Sequence, residues 1–177
     1  DDRVAVRRRV GYLAHATGLY DELTVLDNVR FWTRAAGADL ADADAAMERL
    51  GLVGRLRDAP VAKLSMGQRR RTSLASMLAR RPELWLLDEP HAGLDADARD
   101  LVDGLVREAA AAGATVLVAS HEHERALALA ERVVTIGGGA VIADTGVRPA
   151  AADEQPPGAP APRGPDAAQG EDDSDVA

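Results

Sequence analysis

The 177 residues include no cysteine, which excludes disulfide staples and thiolate-ligated metal sites. Aromatic residues are scarce at 3%, and all five (Tyr12, Tyr20, Phe31, Trp32 and Trp85) precede residue 86. Lys63 is the single lysine; the other 20 basic side chains are arginines. Positive charge is not in surplus. The formal net charge of −8 argues against a nucleic-acid partner, which calls for a basic stripe or patch. No apolar run approaches the roughly 18–20 residues of a membrane-spanning helix, and no leader-like pattern follows Asp1.

What is present divides at about residue 148. Residues 149–177 hold six of the nine prolines and seven acids (Asp153, Glu154, Asp166, Glu171, Asp172, Asp173, Asp175) against one base, Arg163. A Pro/Ala/Gly/Asp stretch with almost no large apolar side chains cannot bury enough surface to offset its ordering entropy. It reads as a disordered acidic tail. Residues 1–148 read as one domain, with apolar content sufficient for a core: 46% of the whole chain is hydrophobic.

Within 1–148 the pattern alternates. Val10–Leu13 reads as the end of a strand. Thr24-Val25-Leu26-Asp27 has the form of a capping box, followed at helical spacing by Val25, Val29, Trp32 and Ala36, with Gly37 as the stop. Further helices fit about 41–50 and 66–80, the latter closed by Arg80, Arg81 and Pro82. Leu84–Leu87 and Thr115–Ala119 are short continuous apolar runs, as expected of parallel strands covered on both faces. Helices fit about 96–112, stopped by Gly113, and Glu122–Glu131. Arg132–Ile136 and Ala140–Ala143, joined by Gly137-Gly138-Gly139, read as strands or a hairpin. The fold class is α/β with a parallel sheet. The helices over about 19–82 have no intervening strand and read as a separate lobe.

Three clusters carry chemistry. In Leu64-Ser65-Met66-Gly67-Gln68, Ser65 and Gln68 form an S-x-x-Q capping box. Free N–H groups, a hydroxyl and a glycine at a helix start suit an anion. In Leu86-Leu87-Asp88-Glu89-Pro90, two carboxylates end a strand at the sheet's carboxyl edge, where α/β folds bind ligands. Asp88 there suits Mg²⁺, and Glu89 can polarise a water for attack on phosphate. Ser120-His121 ends the next strand and is placed to reach the same edge.

Taken in order, Ser65, Asp88 and His121, with Gly93-Leu94-Asp95 between the last two, resemble the ATP-binding-cassette (ABC) transporter ATPases across about residues 4–146. Leu64–Gln68 resembles the LSGGQ signature, with Met66 in place of its first glycine. Leu84–Glu89 resembles the Walker B strand, Ala92–Asp95 the D-loop, His121 the switch histidine, and Leu13-Ala14-His15 falls at the Q-loop. The resemblance implies a P-loop-NTPase-type sheet with an inserted helical lobe and the cofactors ATP and Mg²⁺. Asp88 would hold the metal through water, Glu89 would be the general base, and His121 would contact the γ-phosphate. Asp95 would couple two subunits, and Ser65, Met66, Gly67 and Gln68 would meet the nucleotide of the opposite subunit. His15 stands where the family has glutamine; imidazole is a poor Mg²⁺ ligand, so it would bond water or phosphate. The implied partners are a second ATPase subunit and a transmembrane permease subunit, which the lobe would face from the cytoplasmic side of the membrane. Within the family, Gly11–His15, Gly18-Leu19-Tyr20, Glu22-Leu23-Thr24, Asn28 and Phe31-Trp32 are similar to the haem-exporting ATPases of cytochrome c biogenesis.

Two family elements have no counterpart: the aromatic residue that the family stacks on adenine, and the P-loop downstream of it. A P-loop needs G-x-x-x-x-G-K-[ST], yet Lys63 is followed by Leu64. The sequence therefore predicts either a fragment of a longer ATPase, inactive alone, or a subunit that completes a partner's ATP site in trans without hydrolysis. Chromosome-maintenance ATPases share this motif order, but the short spacing from His15 to Ser65 leaves no room for their coiled-coil insertion.

Overall fold

A computed structural model describes residues 2–146; the expected acidic tail at 149–177 lies outside the described residues. The chain forms two compact units, Asp1–Ala130 and Glu131–Ala177.

In the first unit, helix α1 (Arg3–Arg9) leads into strand β1 (Val10–Leu13). Three helices follow before the next strand: α2 (Val25–Ala36), α3 (Leu40–Arg49) and α4 (Met66–Leu78), with short 3₁₀ turns at Gly54–Leu56 and Val61–Lys63. Then come β2 (Leu84–Asp88), α5 (Ala96–Ala111), β3 (Thr115–Ala119) and α6 (His123–Leu129). The three strands pair in parallel in the order β1-β2-β3, with Tyr12 beside Leu86 and Leu86 beside Leu117. This is the α/β parallel sheet expected, with a helical insertion between β1 and β2.

Local chemistry explains the boundaries. Thr24 accepts from the Asp27 amide at the start of α2, and Gly37 ends that helix in the left-handed conformation. Asp39 caps α3, and Asp95 caps α5. Ser65 and Gln68 form the full reciprocal capping box of α4. That helix ends at Leu78 rather than at 80, because Arg81 takes a positive φ of 48° ahead of Pro82. The helix over Glu122–Glu131 shortens to His123–Leu129. Helix α1 has no apolar stripe to announce it and buries no residue.

One hydrophobic cluster joins the inserted helices to the sheet: Val25 and Val29 of α2, Met47 of α3, Leu74 and Met77 of α4, Trp85 and Leu87 of β2, and Val102 and Leu105 of α5. On α2 the buried face carries Val25, Asn28, Val29 and Thr33 rather than Trp32 and Ala36. Asn28 is buried because it fastens a loop. Its Oδ1 accepts from the Tyr20 amide at 2.8 Å, and its Nδ2 donates to the Tyr20 and Thr24 carbonyls. Trp32 instead joins Tyr20 and Phe31 in an aromatic cluster.

The strands depart from the expectation of burial on both faces. Gly11, Leu13, Trp85 and Leu87 are buried, whereas Tyr12 and Leu117, on the other face, are 61% and 63% exposed. Among the described residues the core helices pack on the face that carries Leu13, Trp85 and Leu87. In the second unit, β4 (Val134–Gly137) and β5 (Ala140–Asp144) form the expected antiparallel hairpin. An Arg132–Asp144 ion pair closes its open end and holds the Asp144 carboxyl down at about 2. Among the described residues no helix is long and apolar enough to cross a membrane.

Candidate functional site

The carboxyl ends of β2 and β3 lie side by side because Asp88 pairs with Ala119 in the parallel register. The next residues of each strand therefore meet. Glu89 donates its amide to the Ala119 carbonyl at 2.9 Å and stands at φ 48°, a conformation uncommon outside glycine. From there its Oε1 accepts from the His121 amide at 3.0 Å and from His121 Nδ1 at 2.8 Å. The hydrogen bond to Glu89, and then its charge, raise the His121 pKa above the ordinary imidazole value. Both contacts fall on one carboxylate oxygen, so Oε2 is left to accept from water. The imidazole ring is 79% exposed, and as imidazolium it keeps Nε2–H for an acceptor.

Asp88 ends β2 next to this pair. Among the described residues no three His, Cys, Asp or Glu side chains converge as a metal cage. That arrangement still fits Mg²⁺, which keeps most of its waters and takes one or two carboxylates together with substrate phosphates.

The signature segment meets the D-loop within this chain. A β-carbon built on Gly93, which has φ 74°, would lie 2.7 Å from the Met66 sulfur, and one on Gly67 would lie 3.1 Å from the Gly93 carbonyl oxygen. Gly67 thus permits close approach of the chain's own backbone. Met66 is 71% exposed at the helix start. Ser65 and Gln68 satisfy each other across the cap at 3.2 and 2.9 Å. Asp95 accepts from the Ala98 amide at 2.9 Å. His15 is exposed beyond the end of β1, and nearby the Ser73 hydroxyl donates to the Thr17 carbonyl.

Arg70 belongs to this site although nothing in the sequence marks it among Arg69-Arg70-Arg71. It is 4% exposed. Its Nη1 donates to the Ala14 carbonyl at 2.6 Å, and its Nη2 donates to the carbonyls of Asp88 and Glu89. Burial lowers its pKa, and the charges of Asp88 and Glu89 oppose that shift. His91 was equally unmarked: buried in the turn after Pro90, it bonds Asp103 at 2.7 Å through Nε2.

These features place a charged cluster at the carboxyl edge of a parallel α/β sheet, and the comparisons with known proteins give its family. Residues 1–92 match the ABC transporter family model. The chain belongs to the ABC transporter family. It is similar to cytochrome c biogenesis ATP-binding export proteins CcmA: 38% identical to that of Rhodopseudomonas palustris BisB18, over 79% of this chain and 68% of the relative. It is 37% identical to that of Bradyrhizobium diazoefficiens, over 78% and 67%. Among solved structures, the dimeric post-hydrolysis ATP-binding cassette MJ0796 bound to ADP and Pi superposes with a TM-score of 0.73 at 26% identity. That match covers 81% of this chain and 66% of the solved one. The chain thus spans about two thirds of the length of these relatives.

Proposed function

We propose that the protein is the ATP-hydrolysing subunit of an ABC exporter of the cytochrome c biogenesis type, with haem or a related small molecule as cargo. The observation that carries the reading is the Glu89–His121 pair beside Asp88 at one sheet edge. Glu89 Oε2 accepts the proton of an attacking water, and imidazolium Nε2–H of His121 steadies the phosphate oxygens. Asp88 would hold Mg²⁺ through water, and the ion would supply charge neutralisation at the phosphates. Ser65, Met66, Gly67 and Gln68 form the cap, with Ser65 and Met66 exposed, that a second ATPase subunit presents to nucleotide, and Asp95 joins the two sites. His15 bonds water or phosphate. The inserted lobe, about residues 19–82, carries the Tyr20–Phe31–Trp32 cluster with Tyr20 and Phe31 exposed, a surface suited to a permease subunit. The assembly sits at the cytoplasmic side of the membrane through that subunit.

The test is complementation, by the ATPase gene that carries this sequence, of a bacterium lacking that ATPase, read by haem staining of its c-type cytochromes. Glu89→Gln and His121→Ala should abolish assembly at unchanged protein level; normal staining in Glu89→Gln would overturn the reading. The intact Ser65–Gln68 cap also supports a second reading: a non-hydrolytic subunit completing a partner's site in trans. In that case Ser65→Arg abolishes assembly and Glu89→Gln does not.

A further inference from the structure

We propose that Arg70 is the positioning residue of this site: one buried guanidinium grips the carbonyls of Ala14, Asp88 and Glu89, holding the Glu89 backbone in its left-handed turn and fastening the His15 loop to the same edge. The inference rests on the reading of Glu89 as the base and deepens it.

Glu89 cannot keep its conformation unaided. A non-glycine residue at φ 48° relaxes toward the extended or right-handed helical region unless its surroundings over-determine it. Pro90 already disfavours the helical alternative for the residue before it. Two backbone contacts hold Glu89: its amide to Ala119 and its carbonyl from the Ala92 amide at 3.1 Å. Arg70 supplies a further grip, and among the described residues it is the side chain that reaches both the Asp88 and Glu89 carbonyls. The direction of the Glu89 carboxylate toward His121 follows from that backbone geometry.

The chemistry requires arginine. A planar fork with several N–H donors can serve three carbonyls from one buried position, whereas an ammonium acts as a point donor on a flexible stem. Carbonyl dipoles and the adjacent Asp88 and Glu89 compensate a charge that is 4% exposed. The flanking arginines provide controls. Arg69 bonds Asp21 and the Val61 carbonyl, and Arg71 bonds the Leu50 carbonyl.

Amide hydrogen exchange measured by NMR on the full chain tests this. Arg70→Lys should lower protection of the Glu89 amide and of the His121 amide about tenfold, and Arg70→Met should lower it further. Val29 and Val106, in α2 and α5, should keep wild-type protection. The ring ¹⁵N shifts of His121 should move toward those of the Glu89→Gln protein, and Arg71→Lys should change none of these signals. Unchanged protection at Glu89 and His121 in either Arg70 variant overturns the proposal, as does an equal loss across the whole chain. Should Arg70→Met not fold, Arg70→Lys decides alone. Because exchange needs no nucleotide, the clamp can fail while the complementation result stands, and the reverse.

Discussion

Two histidine–carboxylate pairs stand close together in this fold and differ in almost everything but length. His121–Glu89 spans 2.8 Å with the two side chains 79% and 26% exposed; His91–Asp103 spans 2.7 Å at 3% and 9%. The exposed pair leaves Glu89 Oε2 and His121 Nε2 for outside partners. The buried pair is committed: Asp103 also takes Arg125 of α6, which in turn bonds Asp100. His91 thereby ties the turn after Pro90 to α5 and α6. Burial turns one pair into a joint of the frame, and exposure leaves the other facing solvent.

That contrast can be broken from either side. The largest effect is expected at the exposed pair: Glu89→Gln should lower ATP turnover of the assembled transporter roughly 100- to 10,000-fold. Its thermal unfolding should shift by less than about 0.5 kcal/mol. The buried pair should behave oppositely. Asp103→Ala strands His91 and should cost about 2–3 kcal/mol in denaturant unfolding, as for an unpaired buried polar group. Ser65→Ala, which removes only a helix cap, should cost about 1 kcal/mol. The smallest effect is on titration. The folded-state His121 pKa is raised, so the stabilisation from its pairing with Glu89 is complete below the ordinary imidazole value. That stabilisation fades as pH rises through the raised value. NMR should place the His121 midpoint above 6.5, and Glu89→Gln should move it downward.

Much of the architecture was legible because it is written in local chemistry. The Thr24 and Ser65 caps, the stop at Gly37 and the strand ends at Leu13, Asp88 and Ala119 fall where the residues place them. The Arg69-Arg70-Arg71 run shows where legibility stops. Three identical side chains go to a surface carboxylate, a buried trio of carbonyls and a loop carbonyl. Residue type cannot separate them, because helix rotation and the approach of β1 and β2 decide which one is buried. Burial of Asn28 has the same origin, because the Tyr20 loop offers it polar groups to satisfy, whereas buried Thr33 donates to the Val29 carbonyl of its own helix.

By itself the sequence determined the order of elements, the capped helix at Ser65 and the placing of Asp88, Glu89 and His121 at strand ends, since capping and periodicity act over a few residues. Only the tertiary structure decided that Glu89 and His121 touch, that Glu89 stands at positive φ and that Arg70 grips three carbonyls. Each of these depends on strand register and helix packing between residues dozens of positions apart, and no short-range preference encodes them.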